Sequence, residues 1–104
     1  MKLSDIRAAN RAAGLHFFDP ESMRFFWSKI ENTIHEGVGG IFFVTSEQMR
    51  GDPHLGVAEQ PRRWTVRQFD PESGTVETAD GFKFQQFNTS SKAHDAARRA
   101  AADH

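Results

Sequence analysis

The chain has no cysteine. Disulfides, thiol nucleophiles and thiolate zinc sites are therefore excluded, and a reducing compartment is the natural setting for so small a domain. Charge of one sign is also missing: 13 basic residues stand against 14 acidic ones, for a formal net charge of −1. A domain built around nucleic acid or an anionic membrane usually carries a basic excess. Long apolar runs are absent too. The longest is Ile41 to Val44, far below the roughly 18–20 residues of a membrane span. The N-terminal stretch carries Lys2, Asp5, Arg7 and Arg11 without an apolar run, so it does not read as a signal peptide. These features together lead to a cytoplasmic expectation.

The apolar share is small, at 38% of 104 residues, against about 45–50% in typical domains. Its kind offsets its size, because ten Phe and two Trp are present. Each ring can bury roughly 150–250 Å², so a few suffice for one modest core in one domain spanning residues 1–104.

Local patterns give an element order. Leu3, Ile6, Asn10 and Ala13 recur at helical spacing, with Ser4 as N-cap and Gly14 as the left-handed stop. Asp19-Pro-Glu resembles a helix start, and Met23, Phe26, Trp27 and Ile30 follow at i, i+3, i+4, i+7. A second helix over residues 20–30 is expected, with 30–35 open between helix and strand. Gly37 to Gly40 form a turn, and Ile41 to Thr45 a central strand with apolar residues on both faces. Residues 48–61 form a long loop. Arg62 to Phe69 and Thr75 to Ala79 are strands, joined by the Asp70-Pro-Glu-Ser-Gly turn. Asp80-Gly81 would turn into a fourth strand through Phe82 and Phe84. An alanine-rich helix, capped by Ser90 or Ser91, closes the chain over 92–102. The fold class is α+β: an antiparallel meander of 3–4 strands, with N-terminal helices and a C-terminal helix packed on one face.

Chemistry is hard to find. The histidines at 16, 35, 54, 94 and 104 follow no ligand spacing and are expected to be solvated surface residues, so no metal and no cofactor is expected. Gly37-Val-Gly-Gly40 precedes a strand, whereas a phosphate loop follows one. No catalytic constellation assembles, although Ser46 and Glu47 at a strand end could serve a small hydrolase or transferase if a base lay nearby. Arg62, Arg63 and Arg67 cluster on one strand, and Phe69 shares the outer face of Arg63 and Arg67. An arginine and aromatic sheet face of that kind suits single-stranded nucleic acid, unless Glu77 neutralises it across the ladder. Rings also exceed what one side of a small sheet can hold. Pairs such as Phe17-Phe18 and Phe25-Phe26 cannot both point inward from a regular element, and exposed rings commonly mark protein interfaces.

Met23-Arg-Phe-Phe26, Phe43-Val-Thr-Ser-Glu47, Trp64-Thr-Val-Arg-Gln-Phe-Asp70 and Phe84-Gln-Gln-Phe87 occur in that order before the alanine-rich helix. The set resembles small uncharacterised proteins of bacteriophages and other mobile elements, over roughly residues 15–102. The resemblance implies a bacterial or phage-infected cytoplasm and carries no catalytic signature. The leading expectation is a small non-enzymatic binding protein that engages a host or phage protein or associates with itself. A nucleic-acid module using Arg62, Arg63, Arg67 and Phe69 comes second, and an enzyme around Ser46 and Glu47 third.

Overall fold

The structure is a computed structural model that describes residues 1–15, 17–18 and 26–103, with the side chain of Phe26 left aside. Among these residues the chain forms α1 (Leu3–Ala12), β1 (Phe26–Gly37), β2 (Gly40–Met49), β3 (Arg63–Asp70), β4 (Thr75–Thr78) and α2 (Ser90–Ala102). The strands make an antiparallel meander in the order β1-β2-β3-β4. The α+β class and the central position of β2 are as the sequence indicates.

Three expectations are corrected. The helix over 20–30 does not extend through its second half: residues 26–30 open β1, while 20–25 lie outside the described residues. The Met23-Phe26-Trp27-Ile30 stripe is helical in spacing, but pairing with β2 engages nine residues of backbone between Phe26 and Gly37 and overrides it. The strand expected through Phe82 and Phe84 is a loop. Among the described residues it forms one β-bridge to the sheet, Trp64 to Phe87. The sheet is covered on both faces rather than one.

Alternation along β2 explains the two covers. Phe42 and Val44 face one side with Val66, and there meet Ala93, Ala96, Ala97 and Ala101 of α2. The alanines give a smooth surface that lets the helix lie close. Phe43 faces the other side with Phe69 and meets Ile6 of α1. Phe17 and Phe18 both join this second core. They lie in an irregular turn, so the alternation of a regular element does not separate them, and each ring centroid is 6.4 Å from that of Phe43. Phe25-Phe26 lies outside the described side chains.

The caps also differ in detail. Asp5, not Ser4, closes the start of α1 by accepting the Lys2 N–H at 2.8 Å. Thr89, one residue before the expected caps, accepts the Lys92 N–H at 3.2 Å and starts α2. Gly14 adopts the left-handed conformation expected of it, with φ 75°.

Candidate functional site

Three parts of the molecule gather chemistry. The first is the sheet face that carries the arginines. Arg63, Thr65, Arg67 and Phe69 alternate on β3 and share a side with Thr45 and Glu47 of β2. Glu47 is 2% exposed. Its carboxylate accepts from Thr45 Oγ1 at 2.6 Å, Thr65 Oγ1 at 3.0 Å and Arg67 Nη2 at 3.1 Å. Arg67 also donates to Thr45 Oγ1 and Thr78 Oγ1, and its guanidinium lies against the rings of Phe17 and Phe84.

The neighbouring arginines are engaged as well. Arg63 donates to the carbonyls of Gln85 and Gln86, at 3.1 and 3.0 Å. Gln85 stands at φ 58°, and its N–H donates to Thr65 Oγ1 at 2.8 Å. Arg62 donates to Ser46 Oγ at 2.9 Å. Phe69 is buried in the core beside Ile6 and Phe43. This face is therefore an internal polar lattice. Arg62 and Arg63 stay half-exposed, but Phe69 offers no ring to a base. Glu77, expected to neutralise the arginines, pairs with Gln68 on the opposite face, and Glu47 fills that role. Ser46 and Glu47 point to opposite sides of β2 and are both buried. Arg62 is the side-chain partner of Ser46, and an arginine cannot act as its base.

The second part is a relay between β1 and α2. Three residues of β1, 31–33, stand opposite Val44 alone, because Ile30 pairs with Thr45 and Ile34 with Phe43. Such a bulge re-aims side chains. The Glu31 carboxylate accepts from Trp64 Nε1 at 2.9 Å and Ser90 Oγ at 2.8 Å, and bonds His94 Nε2. On the other side of the ring, His94 Nδ1 meets His35 Nε2 at 2.9 Å. Burial pushes the Glu31 carboxyl up, but the bonds from His94, Ser90 and Trp64 outweigh it and hold the group below the ordinary carboxylate range. His35 is pushed below the ordinary imidazole range, first by burial, then by the positive charges of His94 and Arg98. The expectation of solvated histidines thus fails for two of the five. They are 59 residues apart, and no spacing rule brings them together; the fold does. Among the described residues no three His, Asp or Glu side chains gather to hold a metal.

The third part is the end of the sheet where β1 begins and β2 finishes. Trp27 is 43% exposed and Met49 42%. The loop beyond β2 adds Leu55 at 76% and Val57 at 42%. That loop is ordered locally. Asp52 and Val57 exchange backbone bonds at 2.9 Å, and the Asp52 side chain caps the short turn Pro53–Leu55. Arg50 lies over the Trp27 ring at 5.9 Å, within the range of a cation–π contact.

Residues 2–98 match a protein family described as of unknown function, DUF7447. The chain belongs to the DUF7447 family. No curated protein matches it, and no solved structure does. Membership of DUF7447 leaves function to be argued from the surface just described. No helix among the described residues is long and apolar enough to cross a membrane.

Proposed function

We propose that this DUF7447 chain works by binding another protein, without catalysis, through the end of the sheet carrying Trp27, Met49, Leu55 and Val57. The observation that carries the reading is the exposure of these four apolar side chains at one end of the sheet. Isolated exposed apolar residues are ordinary, but here Trp27 and Met49 lie on the two faces of one sheet end, Leu55 and Val57 in the loop that follows β2, and Arg50 over the Trp ring. Apolar and Arg side chains of this kind are enriched in interface centres. Arg50 over the ring and Lys29, two residues along β1 from Trp27, give the patch a basic side. The partner that fits is a protein surface with an apolar centre and acidic neighbours. The bacterial or phage-infected cytoplasm suggested by the resemblance makes a host or phage protein the class of partner.

The test is an affinity pull-down of the tagged chain from bacterial lysate, with and without nuclease, beside the variants Trp27→Ala and Leu55→Ser. A discrete protein band that survives nuclease and disappears with both variants supports the reading. A band that both variants retain overturns the surface. Recovery that needs nucleic acid overturns the protein partner. An empty lane with a dimer in sedimentation would instead make a second copy the occupant, and an empty lane with a monomer would overturn binding through this end.

A further inference from the structure

We propose that the His35–His94 pair is an acid-operated latch that ties α2 to β1 and opens when both imidazoles carry a charge. The geometry sets the rule. Two ring nitrogens 2.9 Å apart need one N–H and one lone pair between them. The pair satisfies this when both rings are neutral, and again when one ring is charged. It fails when both are charged, because two N–H groups then face each other.

The surroundings decide which charge is accepted. Glu31 of β1 bonds the far nitrogen of His94, and an ionised carboxylate only accepts, so that nitrogen carries a proton. A cation on His94 therefore sits beside Glu31. Among the described residues His35 has no such counterion contact. Arg98 of α2 lies near it and disfavours its charge, as burial does. Arg98 and Glu36 line the same cleft beside His35, of about 430 Å³, and Arg98 is paired with Asp95 at 2.6 Å. From β3 the relay meets the Trp64 N–H, from the start of α2 the Ser90 hydroxyl, and at its register position on β2 His35 meets Phe42. The second proton must therefore go onto His35, against burial and two positive neighbours.

The sign follows. His35 binds its proton more weakly in the closed form than in the open one, so closure is fully present above the ordinary imidazole value of about 6.5. It is lost as pH falls from there through the lower value of the closed form. Opening draws the alanine face of α2 away from Phe42 and Val44, so the element released is the cover of one core.

The experiment is amide hydrogen exchange of the full chain between pH 7.5 and pH 5, corrected for intrinsic exchange, with α2 compared against β3. Protection of α2 is expected to fall several-fold on acidification while β3 changes less. His35→Gln should remove the difference, since an amide can either donate to His94 or accept from it. Acid-independent protection of α2, or a His35→Gln variant as acid-sensitive as the parent, would overturn the latch. If that variant does not fold, NMR titration of the parent decides: His35 protonating below the ordinary imidazole range supports the latch, and two rings titrating independently at ordinary values overturn it.

Discussion

Glu47 and Arg67 face each other from adjacent strands with 3.1 Å between carboxylate and guanidinium, and their side chains are 2% and 12% exposed. Neither charge is available to a ligand without uncovering the other. Breaking a buried pair by removing one partner leaves the other charge in a poor solvent and costs about 3–5 kcal/mol. Glu47→Ala is expected to lose stability on that scale in urea unfolding at neutral pH. The paired replacement Glu47→Leu with Arg67→Met should lose much less, because no charge is then stranded. If the single and double changes cost the same, the pair contributes through packing alone.

Asn10 joins α1 to the β3–β4 turn. It is buried, its amide donates to the Gly74 carbonyl at 2.6 Å, and its carbonyl oxygen accepts from the Phe17 N–H at 3.3 Å. Asn10→Leu would keep the volume and remove both bonds. Leaving the buried Gly74 carbonyl unpaired is expected to cost about 1–3 kcal/mol. The same change at exposed Arg11 should stay within about 0.5 kcal/mol. Thermal unfolding of the two variants gives the comparison.

Asn10 also shows what the sequence could and could not reveal. Its place at helical spacing with Leu3 and Ile6 is enough to put it on the inner face of α1. Nothing local names Gly74 as its partner, 64 residues away. The alanine stripe of α2 and the β-branched and aromatic run of β2 were legible for the same reason: each element repeats with its own period. Residues 26–30 follow the helical period in sequence, and pairing with β2 overrides it. Phe82 and Phe84 looked like strand residues because they alternate, but β4 spans only Thr75–Thr78, and the Arg63 end of β3 is met by Gln85, Gln86 and Phe87 instead. The arginine cluster is visible in the sequence, and Arg63 and Arg67 do share a face, but that face is internal rather than the outer one expected, and Phe69 on it is buried. Its commitment to Glu47, Gln85 and Gln86 depends on tertiary placement. The relay was invisible, since Glu31, His35, Trp64 and His94 come from three elements.

Glu31 makes a second acid-dependent contribution, distinct from that of the histidine pair. Its carboxyl is held below the ordinary value of 4.5 by the bonds from His94, Ser90 and Trp64, against the opposing effect of burial. A depressed carboxyl stabilises the fold above its unfolded value, and the effect is lost as pH falls through the folded value. Glu31→Gln should therefore be less stable than the parent at pH 7. Its stability should also fall less steeply below pH 4.5. Urea midpoints measured from pH 7 to pH 3 check both parts, and parallel curves for the two proteins would count against the assignment.

The β1–β2 turn is docked on the end of α2 through Gly39, whose N–H donates to the Ala101 carbonyl at 2.8 Å. A Cβ built on Gly39 would stand 2.0 Å from the Ala100 carbonyl oxygen and 2.7 Å from that of Asp103. Both obstacles are backbone, so no side chain can swing aside. Gly39→Ala must push the turn and the helix end apart, and overpacking of this kind costs about 1–3 kcal/mol. Val38, one residue earlier, is 74% exposed, and Val38→Ala should be nearly neutral. The decisive measurement is the pair of unfolding midpoints together with exchange at the Gly39 amide. A destabilised Gly39→Ala beside a neutral Val38→Ala shows that the contact with α2 matters. Equal effects would mean that the turn acts by itself and that α2 takes no support from it.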